Sequence, residues 1–222
     1  MKTVTKTSRV LGVAFLLQFV TSFSSGAFLK PAWFVPGSIT GTMLKIAGNP
    51  WLLQSTILLD MLTALGIIFL GAILFLTLRK QNEKIALVAL GFYILEAALL
   101  AVSRMEAFSL LRFSQEYAVA PNPALETMAQ VAYDSMNFGG STLHMLAFCI
   151  GGILFYYLLD RSSIVPRLLS LWGLVTVFPM LVATVSELFG HPLPIYFYIL
   201  YMPFELVIAI WILVKGIKAD PA

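Results

Sequence analysis

A carboxylate sits where a bilayer-crossing helix should carry none. The stretch from Ile195 to Lys215, IYFYILYMPFELVIAIWILVK, is long and apolar enough to span hydrocarbon, and Glu205 falls about halfway along it. Ionised and unpaired at that depth it would cost at least about 2.5 to 3.5 kcal/mol, so it must be protonated, paired, bound to a ligand or turned towards water. Tyr198 and Tyr201 lie seven and four residues earlier on the same helical face and bring two hydroxyls beside the carboxyl. Pro203 has no N–H, so it leaves the carbonyl of Ile199 without its usual donor and frees an acceptor nearby.

Further polar groups stand in apolar surroundings. Gln18, Thr21, Ser22 and Ser25 mark one stripe at helical spacing, Asp60 is flanked on one face by Thr56 and Thr63, and Glu96 has Tyr93 and Ser103 near its face. Arg104 is about 200° around a helix from Glu106, so its carboxylate partner is expected on another helix. His144 shares a face with Asn137 and Ser141, while Thr176, Met180, Thr184 and Glu187 recur along one side of a later helix.

This set could do several kinds of chemistry. Crowding carboxylates in a low dielectric disfavours their joint ionisation, so Glu205 or Glu96 is expected to keep a proton at neutral pH. Such a proton serves general-acid chemistry or an interhelical hydrogen bond. Glu205, Glu96, Asp60 and His144 are the catalytic candidates, and Tyr198, Tyr201, Arg104, Glu187, Gln18 and Ser22 are the binding candidates. Asp60, Glu96, His144 and Glu205 are also metal-ligating types, but no local motif such as H-E-x-x-H joins them, and neither a metal nor a cofactor is expected. A purely structural hydrogen-bond network is the competing reading.

The elements that must position these residues follow from composition. Of 222 residues, 59% are hydrophobic and 11% charged, against about 25% charged in a soluble domain, and mean hydropathy is +0.91. This is an all-α polytopic membrane protein, with spans expected at Val10–Leu29, Trp51–Leu78, Ile85–Ser103, Phe138–Leu159, Leu168–Leu188 and Ile195–Val214. With the N-terminus inside, Lys2, Lys6, Arg9, Arg79, Lys80, Lys84, Arg161, Arg167, Lys215 and Lys218 fall on the cytoplasmic side. Lys30, Lys45, Arg104 and Arg112 fall outside. Ten against four places both termini in the cytoplasm of a cell membrane. It also explains the basic pI of about 9.0 without nucleic acid as a partner. The alternative for the first span is a secretory signal peptide, from Lys2, Lys6 and Arg9 followed by LGVAFLLQFV and SFSSGA.

Two larger outer connections are expected to hold short amphipathic helices. ITGTMLKIAG lies between prolines, with Trp33 and Trp51 as headgroup-level anchors, and a helix starts at Asn122-Pro123 and runs through ALETMAQVAYDSM. Glu116, Glu126 and Asp134 belong to this layer as solvated surface. The single cysteine, Cys149, permits no disulfide framework, and Gly151-Gly152 reads as close helix packing.

Two segments carry a resemblance. RSSIVPRLLSLWGLV and MPFELVIAIWILVKGIK, with Arg9-Val-Leu-Gly near the start, resemble the bacterial multi-pass membrane proteins grouped as domain-of-unknown-function family 4386. Ser163-Ile164 and Ser170-Leu171 stand where that family's patterns hold glycine, and Pro203-Phe204 precedes Glu205 in place of glycine. The resemblance implies nearly full-length coverage, a bacterial inner-membrane setting and Glu205 as a characteristic residue, and it implies no activity.

The polar residues agree in depth, from mid-membrane to the outer half. The expectation is one integral-membrane domain over residues 1–222, a six-transmembrane-helix bundle whose polar cavity faces outward and is closed towards the cytoplasm. Such a cavity suits a small or lipid-like ligand beside the membrane lipid itself. An intramembrane enzyme acting on an apolar substrate and a proton-coupled transporter are the alternatives, and a homo-oligomer is compatible with all three.

Overall fold

The computed structural model describes residues 6–217. The charges Lys2 and Lys218 and the placement of the chain ends lie outside these residues. The chain is an all-α polytopic membrane protein, with six helical runs long and apolar enough to cross a bilayer. It comprises α1 (Lys6–Ser24), α2 (Lys30–Trp33), α3 (Ile39–Gly48), α4 (Pro50–Leu78), α5 (Glu83–Val119), α6 (Pro123–Asn137), α7 (His144–Ser162), α8 (Arg167–Leu188), α9 (Tyr196–Ile199) and α10 (Met202–Lys215). The long helices pack α10 on α1, α1 on α4, α4 on α5, α5 on α7 and α7 on α8, whereas α8 meets α10 only lightly.

Two widened turns make continuous helices out of segments expected to be separate. Ser25–Leu29 is a π-helical turn, with Lys30 N–H bonding to the Ser25 carbonyl, so the first run reaches Trp33 instead of ending at Leu29. Phe138–Leu143 is a second, with His144 N–H bonding to the Gly139 carbonyl, and it fuses α6 to α7. A π turn inserts one residue and shifts the helical phase, which is how side chains before and after it reach the same space.

The third helix is also longer than expected. It continues past Ser103 to Val119, because Ala107, Leu110 and Leu111 are buried in a second core with Trp33, Met43, Ile46, Leu53, Ala129, Ala132 and Met136. The expected outer connection after Ala107 is therefore mostly packed helix. α3 and α6 form as expected, capped by Ser38, whose Oγ accepts from Gly41 N at 2.9 Å, and by Asn122, whose Oδ1 accepts from Ala124 N at 2.9 Å. Glu126 is not simple solvated surface. It accepts from Tyr117 OH at 2.5 Å and Thr40 Oγ1 at 3.1 Å, tying α3, α5 and α6 together. Trp51 is 58% exposed, as an interfacial anchor would be, but Trp33 is 1% exposed and donates from Nε1 to Thr56 Oγ1 at 3.0 Å. The second tryptophan is thus a core residue, since its indole N–H has a buried partner.

The last expected span is broken. α9 stops at Ile199 and α10 begins at Met202, with Pro203 in the first turn where a missing N–H costs nothing. Phe204 N–H bonds to the Tyr201 carbonyl at 2.9 Å, and the Leu200 carbonyl accepts from Trp172 Nε1 at 3.2 Å. The break is stabilised by Gly173 on α8, where a Cβ would lie 2.5 Å from the Phe204 ring. Only a glycine lets that ring bury completely.

Candidate functional site

Breaking the last helix changes the setting of Glu205. It lies in the first turn of α10, just after the break, and still about halfway along the run Tyr196–Lys215. Tyr201 OH donates to Glu205 Oε1 at 3.0 Å and shares a short hydrogen bond with Tyr156 OH on α7. Tyr198 reaches instead for Glu187, donating to Oε2 at 3.3 Å.

Tyr198, Tyr201 and Glu205 border a cavity of about 420 Å³ between α1, α5, α7, α8 and the α9–α10 break. Gln18, Ser22, Glu96, His144, Tyr198, Tyr201 and Glu205 line it. Apolar walls come from Phe19, Phe23, Met145, Phe148, Met180, Ile195 and Met202. Its volume lies in the range that holds small-molecule ligands, about 300 to 1,000 Å³. Rim residues are open to the surroundings, with Ile195 70%, Met202 41% and Phe23 36% exposed.

A second chamber of about 290 Å³ adjoins it on the α4 side. Gln18, Ser22, Gly26, His144 and Met145 line both chambers. Asp60 and Arg104 face the second, where Nη1 of Arg104 meets Oδ2 of Asp60 at 2.7 Å, with side chains 11% and 10% exposed. The carboxylate that Arg104 meets is thus on another helix, α4. The remaining guanidinium donors, Nη2 and Nε, reach Ser103 Oγ at 2.9 and 3.2 Å. Lys30 Nζ donates to Asn137 Oδ1 at 3.0 Å. Gly140 admits the arginine, because a Cβ there would sit 2.2 Å from Arg104 Nη2. Ser25 and Gly26 from one π turn and Gly140 and Ser141 from the other both line this chamber.

The structure therefore gathers Gln18, Ser22, Asp60, Glu96, Arg104, His144, Tyr198, Tyr201 and Glu205 around two joined spaces. Glu187 is the exception among the candidates. It is exposed, lines neither chamber, and holds Thr142 Oγ1 at 3.2 Å as well as Tyr198. The four residues weighed as metal ligands are divided, Asp60 in one chamber and Glu96 and Glu205 in the other. Among the described residues no group of three or more His, Cys, Asp or Glu is arranged to hold a metal ion.

Two buried oxygens, Gln18 Oε1 and Glu96 Oε2, have no hydrogen-bonding partner among the described residues, while the buried His144 ring has the Ser141 backbone within reach. All three residues line the larger chamber. Leaving such an oxygen unsatisfied costs about 1 to 3 kcal/mol. Towards the Arg79–Glu83 end of the bundle the packing is apolar, with Leu11, Phe15, Leu74, Leu78, Phe155 and Leu159 fully buried.

Sequence reasoning placed Lys30 in an outer loop and gave Tyr156 no role. The first was hidden by Pro31, which reads as a break but here sits in the first turn of α2. The second carries no sequence signal, since its link to Tyr201 joins positions 45 residues apart. Ser-Gly and Gly-Gly-Ser were the available clues to the two π turns.

Residues 10–216 match the family described as Domain of unknown function (DUF4386). No curated protein and no solved structure matches the chain.

Proposed function

We propose, for a chain that belongs to the DUF4386 family and so inherits no assigned activity, that the larger chamber binds a small or lipid-like molecule within the membrane. The observation that carries this reading is that Gln18 and Glu96, each with a buried oxygen left without a partner, line one apolar-walled space together with His144 and Glu205. A packed structural network would pair those atoms with one another, because hydrogen-bonding groups in a low dielectric are costly to leave open. The rim between α1 and the α9–α10 break supplies an entry route at the level of lipid. In this reading the protein sits in a bacterial inner membrane with both termini cytoplasmic, as the charge asymmetry of the loops supports, and the chambers face outward.

The test is mass spectrometry of small molecules and lipids that co-purify with wild-type protein, with Glu205→Gln and with Glu96→Gln. A compound retained by the wild type and lost from both folded variants supports the binding site and names its class. Identical profiles from three equally folded proteins would remove it.

A second reading, proton-coupled transport, draws on the hydrogen-bonded chain from Tyr156 through Tyr201 to Glu205, which joins the core to the chamber. It requires uptake into proteoliposomes driven by a pH gradient and abolished by Tyr201→Phe.

A further inference from the structure

We propose that the occupant of the larger chamber is a lipophilic amine in its protonated form, held by its N–H groups. This deepens the binding reading above and rests on it. The lining contains two carboxyl groups, Glu96 and Glu205, and no lysine or arginine, so its electrostatic bias is towards a cation. The unpartnered oxygens on Gln18, 7% exposed, and Glu96, 2% exposed, are acceptors that want a donor, and an ammonium offers up to three.

The walls suit the same ligand. Phe148 and Tyr201 stand edge to face with centroids 5.2 Å apart, and Phe19 and Phe23 stack at 5.4 Å, presenting aromatic surface around the carboxyls. Aromatic faces attract organic cations and also shield an alkyl body from water. The cations of the neighbouring chamber do not compete for an anionic ligand here. Arg104 is held by Asp60 and Ser103, and Lys30 by Asn137. An alkyl tail leaves through the rim at Ile195 and Met202 towards lipid. The N–H requirement separates this assignment from general attraction of positive charge, because a quaternary ammonium has the charge without the donors.

The experiment uses full-length protein in nanodiscs of zwitterionic lipid at neutral pH, with empty nanodiscs as blank. Radiolabelled dodecylamine is the probe, and unlabelled dodecyltrimethylammonium, dodecanol and dodecanoate compete with it. Dodecylammonium is expected to bind above blank and to be displaced by the quaternary analogue about tenfold less well than by itself. Dodecanoate is expected not to displace it. Glu96→Gln should weaken the probe about tenfold or more, since a bound ammonium draws the Glu96 carboxyl into its ionised form and the substitution leaves only a neutral hydrogen bond, and Gln18→Leu should weaken it by a smaller factor. Thermal unfolding of each variant separates lost binding from lost fold, and Gln18→Leu keeps the test decisive if Glu96→Gln does not fold. Displacement by dodecanoate or dodecanol as effective as by dodecylamine overturns the amine assignment, as does probe affinity unchanged in both variants. If the wild type retains a Glu205-dependent compound yet binds no dodecylamine above blank, the amine class falls and the binding cavity remains.

Discussion

Asp60→Asn removes one partner of the Asp60–Arg104 ion pair while keeping the shape of the side chain, and its cost follows from the structure. The pair is 2.7 Å apart and both side chains are about nine-tenths buried. An arginine cannot shed its proton, so the variant leaves a buried guanidinium without a counter-charge. Breaking a buried pair in this way costs roughly 3 to 5 kcal/mol. Two contacts to Ser103 Oγ survive the substitution, which places the expectation at the lower end, about 3 kcal/mol, or roughly a hundredfold in the unfolding equilibrium.

The reverse deletion is expected to cost less. In Arg104→Met the remaining Asp60 carboxyl can take up a proton and become neutral, an escape that Arg104 lacks. The double variant Asp60→Leu with Arg104→Met should cost less than Asp60→Asn alone, because no charge is stranded and the space is filled with apolar volume. The assay is equilibrium unfolding in mixed micelles followed by circular dichroism, with wild type, Asp60→Leu, Arg104→Met and their double variant forming a double-mutant cycle and Asp60→Asn measured beside them. Stability of Asp60→Asn within about 0.5 kcal/mol of wild type, or a double variant as unstable as the two single costs added, would refute the assignment of this pair as a coupled, desolvated unit.

Gly173→Ala places a methyl against the Phe204 ring, and overpacking of this kind costs about 1 to 3 kcal/mol; it should also displace Glu205 next to that ring and lower recovery of any co-purifying compound. Trp172→Phe removes the donor to the Leu200 carbonyl and should cost about 1 kcal/mol in the same unfolding assay, with no change if the carbonyl finds another donor. Ser163 ends α7 in the left-handed region at φ 53°, a conformation that costs a side-chain-bearing residue about 1 to 2 kcal/mol. Ser163→Gly should therefore stabilise the protein by about 0.5 kcal/mol after the added flexibility of glycine in the unfolded chain is subtracted, and destabilisation would count against strain at that turn.

Hydropathy alone located the six runs, because a helix that must cross hydrocarbon has to be apolar along its whole length. What hydropathy could not locate is what happens where each run leaves the apolar stretch. The extension of α5 to Val119 is held by burial of Ala107, Leu110 and Leu111 in a cluster with residues from four other helices, a tertiary effect absent from local pattern. The π turns are held by pairing across the bundle, with Gly140 against Arg104. Most of the cavity lining was legible for a simpler reason. A polar side chain in an apolar run is conspicuous wherever it stands, so Gln18, Asp60, Glu96, Arg104, His144 and Glu205 identify themselves. Glu187 was equally conspicuous and lies outside both chambers, since position near a helix end also allows a carboxylate to face outward, where it holds Thr142 and Tyr198.

The ten polar candidates divide by whether their hydrogen bonds close. Around the smaller chamber Asp60, Arg104 and Ser103 satisfy one another, and Lys30 and Asn137 do the same. Around the larger chamber Glu205 has Tyr201, while Gln18 and Glu96 each keep an open oxygen. Closed networks fix helix positions, and here the closed one includes the residues on which both π turns pack. Open atoms do nothing for rigidity and cost stability while unfilled. Gln18 stands on the boundary the two chambers share, and Glu96 on the side of the larger one, which the helix break also borders. On the proposed reading, the smaller chamber is the scaffold that holds α1, α4, α5 and α7 in register, and the larger one is the space in which a molecule from the membrane would complete the bonding.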